Sequence, residues 1–167
     1  MKSLLLPFLL LVSSTGFSQS LEDLDEKNGF RKLHFGDALA KLPEAKWVEG
    51  ESNTKYYVLP VENLRIGGAK LKSIYYGFYK GKFCSVIIRT SNLVDSKALK
   101  LALEETYGPG YQSNKHIEHY YWLGKVVGMS YYAYSINGTA KVFLQSEEIK
   151  QQKEENENAA GKAKSDQ

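Results

Sequence analysis

The sequence predicts an α+β fold: two tandem helix-strand-hairpin units forming one antiparallel sheet, with the helices on one face. Three stretches carry that prediction. "SIYYGFYKGKFCSVIIRTS", residues 73–91, alternates aromatic and β-branched residues on either side of Lys80-Gly81, as a hairpin should. "MSYYAYSINGTAKVFLQSE", residues 129–147, repeats that style around Asn137-Gly138, the strongest short-range hairpin signal. Between them, "DSKALKLALEETYGPG" is the clearest helix of the chain. Its amphipathic spacing and its Gly-Pro ending mark both the buried stripe and the stop.

The chain opens on "MKSLLLPFLLLVSSTGFSQS", with Lys2 before an apolar run from Leu4 to Val12 and small residues around Phe17. This is the layout of a secretory signal peptide over 1–18, cleaved after Ser18, which implies export to the periplasm or the medium. The run is shorter than the roughly 20 apolar residues a spanning helix needs, and no later segment reaches that length, so no transmembrane segment is expected. No Cys stands near the cleavage point to carry a lipid.

A polar lead follows over 19–28, then one α+β domain over 29–149 with units of about 29–92 and 93–149. In the first unit, Asp37 is placed to cap a short helix carrying Ala38, Leu39 and Leu42, which Pro43 stops. "KYYVLP" reads as a strand, and "LRIGGAKL" as a strand edge broken at Gly67-Gly68. Strict alternation in the first hairpin puts Ile74, Tyr76 and Phe78 on one face and Tyr75 and Tyr79 on the other. On the return strand it sets Cys84, Val86 and Ile88 against Phe83, Ser85, Ile87 and Arg89, with the first set expected in the core.

In the second unit, Asp95 or Ser96 is the expected N-cap of the clear helix. Ala98, Leu99, Ala102, Leu103 and Thr106 form its stripe, and Gly108 and Pro109 end it. "HIEHYYWLGKVVGMSYYAYSINGTAKVFLQS" then supplies three strands. Asn137-Gly138-Thr139 also matches a glycosylation acceptor, although the turn alone accounts for those residues. From Lys150 to the end the chain is polar, nearly charge-balanced and free of aromatics, so residues 150–167 are expected to form a disordered tail.

Cys84 is the only cysteine, so no intramolecular disulfide can form, and a buried small hydrophobe is its expected role. The formal net charge of +3 is low and its basic residues are dispersed, which argues against nucleic acid as a partner.

"FRKLHFGDALAKL" opening the first unit, "SIYYGFYKGKFCSVII" as its hairpin and "ALKLALEETYGPG" opening the second give an element order that resembles the β-lactamase-inhibitor-protein type of fold. More distantly, the layout resembles small outer-membrane assembly lipoproteins with two helices on a three-stranded sheet. The resemblance covers about residues 29–149. It implies a binding module in which an aromatic concave sheet face grips a protein partner. Two departures bear on the specific activities: the disulfides usual in the inhibitor units have no counterpart, because Cys84 has no mate, and the lipid-bearing Cys is missing.

Catalytic patterns are weak throughout. His116 and His119 flank Glu118, but strand alternation would send the two imidazoles to opposite faces, and His34 is the only third imidazole for a metal. There is no nucleophile elbow, and Gly67-Gly68 and Gly108-Pro109-Gly110 lack the context of a phosphate loop. Glu104 and Glu105 diverge around a helix. No cofactor or metal site is predicted.

The aromatics are more informative. Twelve Tyr, seven Phe and two Trp often stand in adjacent pairs, so alternation must turn one member of each pair away from the core. Tyr75, Tyr79, Trp122, Tyr132 and Tyr134 are the candidate exposed face, with Arg89 as a charged anchor, residue types that dominate interface hot spots. The same rings could instead form cross-strand ladders or a second core under the tail. The expected function is an exported, noncatalytic binding or envelope-associated protein with a protein partner. The alternatives are a carrier for a sugar or lipid fragment, or a small hydrolase whose site the sequence does not reveal.

Overall fold

A computed structural model describes residues 16–51 and 53–165. The chain runs α1 (Gly16–Lys27), β1 (Gly29–Phe30), β2 (Leu33–His34), a 3-10 turn (Leu39–Lys41), β3 (Lys46–Glu51), β4 (Thr54–Val58), β5 (Arg65–Ile66) and β6 (Ala69–Lys70). It continues through β7 (Ser73–Tyr79), β8 (Lys82–Arg89), α2 (Leu93–Tyr107), β9 (His119–Leu123), β10 (Val127–Ala133), β11 (Ala140–Ser146) and α3 (Glu147–Ser165). Seven strands make one antiparallel sheet in the order β3-β4-β7-β8-β11-β10-β9, with β1-β2 and β5-β6 as separate two-stranded ribbons. The fold is therefore α+β. The two hairpins meet at the centre, where β11 pairs antiparallel with β8 from Lys141↔Arg89 to Gln145↔Ser85.

The expected hairpin turn at Lys80-Gly81 is present, with positive φ at both residues (48° and 82°) as a tight two-residue turn requires. The second connection is longer, since β10 ends at Ala133 and β11 starts at Ala140. Within it the Asn137 side-chain oxygen accepts from the Thr139 amide and hydroxyl, at 3.1 and 2.7 Å, and Gly138 takes a φ of 66°. These bonds fold the loop locally.

Strict alternation fails at one point of β8. Gly77 pairs with Ser85, but Phe78 pairs with Phe83, so Cys84 is an extra residue in a β-bulge. The slip moves Phe83 into the main core (0% exposed) and turns Cys84 to the other face, reversing the assignment that uninterrupted alternation gives.

The main core lies between one sheet face and the helices α1 and α2. It contains Ile74, Tyr76, Phe78, Phe83, Val86, Ile88, Val127, Met129, Tyr131, Val142 and Leu144 from the sheet, and Leu24, Leu99, Leu103 and Tyr107 from the helices. Helix α2 starts earlier than Asp95: Asn92 is its N-cap, and its side chain accepts from the Asp95 amide at 2.9 Å. The Asp95 carboxylate instead accepts from the Lys70 amide at 2.8 Å, tying β6 to the helix. Tyr107, not the exposed Thr106, completes the buried stripe.

Three segments differ from the sequence expectation. The signal peptide falls largely outside the described residues, but the polar lead is helical as α1. Leu24 enters the core, and the Asp25 carboxylate accepts from the amides of Lys125, Val126 and Val127 at 2.7, 2.9 and 2.9 Å. With Leu21 also packed against the core and Lys27 Nζ donating to Tyr107 Oη at 3.2 Å, a few long-range contacts dock a helix that composition alone marks as polar. The helix expected after Asp37 is only a single 3-10 turn. Asp37 spends its carboxylate on Lys41 Nζ (2.5 Å) and the His34 amide (3.0 Å), leaving the turn without a side-chain cap.

The tail expected to be disordered is the long helix α3. Glu, Lys, Gln and Ala favour helix, and Gln152–Glu148, Gln151–Glu155 and Lys153–Glu157 pair across single turns. Its anchor is Ile149, buried against Tyr79 and Cys84 on the sheet face opposite α1 and α2, so the helices occupy both faces.

Tyr131 links the sheet to α2, its hydroxyl donating to the Ser96 carbonyl at 3.0 Å, and burial pushes its phenol up to about 12. A phenol whose proton is held more tightly in the folded state stabilises the fold below its unfolded pKa and loses that contribution as pH rises. Stability should therefore fall between about pH 10 and 12. Urea unfolding across that range should show a shallower decline in Tyr131→Phe than in the wild type.

Leu24→Ala should cost about 3 kcal/mol of unfolding free energy, the usual loss for truncating a fully buried leucine. Urea unfolding at neutral pH measures it directly.

Candidate functional site

The outer sheet face, opposite α1 and α2, can be laid out from strand register. One transverse row runs Ser73, Arg89, Lys141, Tyr132, His119. The next holds Tyr75, Ile87, Phe143, Ser130 and Tyr121. A third crosses all seven strands: Glu49, Tyr56, Gly77, Ser85, Gln145, Gly128, Leu123. At the far end, Thr54 pairs with Tyr79.

Helix α3 divides this face. It leaves the end of β11, with the Ser146 hydroxyl accepting from the Ile149 amide at 3.3 Å, and Ile149 then covers Tyr79 and Cys84. Between α3 and the sheet lies a cavity of about 270 Å³, whose lining includes Thr54, Tyr56, Tyr79, Ser85 and Gln145. On the other side of the helix base, an open groove of about 540 Å³ runs over Tyr121, Gly128, Ser130, Phe143 and Gln145. The first two rows lie beyond α3 except at Phe143, which also lines the cavity.

The candidate residues divide accordingly. Tyr75, Tyr132 and Tyr134 are half-buried or exposed, as expected, and Arg89 is exposed with its guanidinium 5.1 Å from the Tyr75 ring. Tyr132 packs edge-on to Tyr134 (4.7 Å between centroids) and to His119 (5.3 Å), and His119 lies over Tyr121 (4.2 Å), forming a ring ladder at the β9-β10 side. Tyr79 is not exposed: it is 4% accessible beneath α3. Trp122 is likewise not exposed. It alternates into the main core at 1% accessibility, where its indole N–H donates to the Gly108 carbonyl at 2.8 Å.

Residues not anticipated on this face are Lys141, Phe143, His119 and Tyr121. Lys141 and Arg89 are direct cross-strand partners, and neither enters a salt bridge among the described residues. Lys141 instead sits 5.9 Å from the Phe143 ring. The signal for Lys141 and Phe143 was the second hairpin itself, since Lys141, Phe143 and Gln145 alternate along β11 with the buried Val142 and Leu144.

Partial burial holds the His119 imidazole below the usual histidine value, favouring the neutral ring that bonds Tyr121 Oη through Nδ1 at 3.0 Å. His116 lies in the loop before β9, so strand alternation does not relate it to His119. Among the described residues, no three His, Cys, Asp or Glu side chains gather as a metal site would need. Burial pushes the Cys84 thiol up, and its Sγ contacts the Gly77 carbonyl at 3.3 Å. A thiol so placed is held in its unreactive protonated form.

No described helix is long and apolar enough to cross a membrane. Comparison with protein families, with curated proteins and with solved structures returns no match.

Because Ile149 belongs to a small cluster separate from the main core, Ile149→Asp should release α3 while the sheet stays folded. Modification of Cys84 by a thiol reagent should then accelerate at least about tenfold, since its protection comes from burial. An unchanged rate alongside intact near-UV circular dichroism would show that α3 does not shield the thiol.

Proposed function

We propose that this chain is an exported, noncatalytic binding protein, and that the half of the outer sheet face left open by α3 holds a protein partner. The carrying observation is the Arg89↔Lys141 pair at the centre of that half. Like charges directly opposite one another across two strands oppose pairing. Here no described carboxylate bridges them. An acidic side chain on a partner would convert that repulsion into two charge-assisted contacts.

Tyr75, Phe143, Tyr132 and Tyr134 surround the two cations with aromatic area, the mixture of Tyr and Arg that supplies most affinity in interfaces. The resemblance of the element order to the inhibitor-type tandem fold supports the same reading, with the helix-strand-hairpin units as its proposed organisation. The leader-like first residues support export. The partner is accordingly a protein presenting an acidic residue beside apolar or aromatic groups.

The test is capture from the native envelope fraction followed by quantitative rebinding of the purified partner. Arg89→Glu, Lys141→Glu and Tyr132→Ala should each weaken rebinding by about tenfold or more, the effect of losing one interface anchor of about 1.4 kcal/mol. Lys97→Glu on the exposed surface of α2 should leave it unchanged. Binding should also fall with added salt. Equal affinity across all four variants would show that the partner docks elsewhere.

A further inference from the structure

The cavity beneath α3 is lined by two polar side chains that the fold leaves unsatisfied. Thr54 and Tyr79 are cross-strand neighbours in β4 and β7, each 4% exposed, and each lines the cavity. Their hydroxyl oxygens are buried with no hydrogen-bond partner. Buried polar groups are almost always satisfied, so a pair of orphans bordering one cavity calls for a cause.

The remainder of the lining constrains what would satisfy them. Ser85, Tyr56 and Gln145 bring further hydroxyl and amide groups, while Phe143 and Ile149 are apolar. Gly77 lies beneath two of these side chains and leaves them room, since a Cβ there would stand 2.2 Å from Ser85 Oγ and 2.9 Å from the Tyr56 ring. Four charged residues lie along the α3 side: Lys150, Lys153, Glu154 and Glu157. The two lysines pair within the helix, Lys150 with Glu147 at 2.9 Å and Lys153 with Glu157 at 3.9 Å. No unpaired cation is left to attract an anion, and the sheet side of the lining carries no charge.

From this geometry we infer that the cavity is a binding site for a small neutral polyol of monosaccharide size. Its hydroxyls exchange hydrogen bonds with Ser85 and, once α3 shifts outward, with the Thr54 and Tyr79 hydroxyls that the closed packing shuts off from contact, and its C–H face rests on the aromatic wall. Rings of this kind present both donors and acceptors on one edge and an apolar face on the other, matching a lining of hydroxyls, amide and aromatics. The volume of about 270 Å³ falls just under the range used by drug-sized ligands, which selects a single ring rather than an oligosaccharide. The site shares Phe143 with the proposed partner surface but draws on neither Arg89 nor Lys141, so polyol titration and partner rebinding test the two readings separately.

The test is isothermal titration of the purified protein with glucose, galactose, N-acetylglucosamine and myo-inositol at millimolar concentration, with sodium acetate as a charged control. At least one polyol should bind saturably. Thr54→Val and Tyr79→Phe, which delete one hydroxyl each and keep the shape, should weaken that binding by tenfold or more. Without ligand, both variants should unfold at the wild-type temperature or above, because each removes an unsatisfied buried group. Four outcomes would overturn the inference: no saturable polyol binding, equal binding by the variants, preferential binding of acetate, or variants that unfold at lower temperature without ligand.

Discussion

The arrangement of the outer face depends on one extra residue in β8. Had Phe83 to Ile88 alternated without interruption, Cys84 would face α2 and Phe83 would face α3. The bulge between Gly77 and Phe78 on the partner strand instead lets Phe83 join Tyr76, Phe78 and Phe35, with ring centroids 5.0–6.0 Å apart. It also places Cys84 beside Tyr79, where a single isoleucine from α3 can cover both. Bulges bend and twist the strand that carries them. In this sheet the bulged strand is also the one through which the second hairpin joins the first.

The two sheet faces are covered by different physical means. On the inner face, α1 and α2 add to one continuous apolar core, supplemented by polar links such as Asp25 to the 125–127 amides and Tyr131 to Ser96. On the outer face, α3 contributes one buried apolar residue among its described side chains, Ile149, and its charged groups pair mainly along the helix itself. A helix with so narrow an apolar contact gains little from burial and relies on propensity and side-chain pairs across its turns. Such an element is the part of a fold expected to open at low cost. Its position over the hydroxyl-lined cavity is therefore suited to admitting a ligand, in keeping with the site inferred there.

Hairpins, α2 and the α+β class were legible because period and turn chemistry are local properties. Gly81 takes the positive φ that glycine favours and so marks the turn, and Leu99 and Leu103 point where their spacing puts them. What was not legible depended on single long-range contacts. Helix α1 carries little apolar signal, yet Leu24 and Asp25 meet the core and a turn about a hundred residues away. The bulge has no letter of its own in "KGKFCSVII". Trp122 misled for a related reason: the adjacent Tyr120, Tyr121 and Trp122 allow either parity, and only pairing of Trp122 with Met129 on the core face decides it.

The divided outer face also bears on how the two proposed sites can coexist. The third row, from Tyr56 through Ser85 to Gln145, is neutral where α3 crosses it, whereas Arg89 and Lys141 stand two rows away in the open half. Two rows along a strand span about four residues, or roughly 13 Å, which exceeds the screening length of about 8 Å at physiological salt. An acidic partner group at Arg89 would therefore be felt only weakly in the cavity. Phe143, Gln145 and Lys150 line both the cavity and the open groove, and of these Phe143 has its ring beside Lys141. A rotamer change in that one side chain is the shortest mechanical route by which an occupant of the cavity could alter the open half of the sheet.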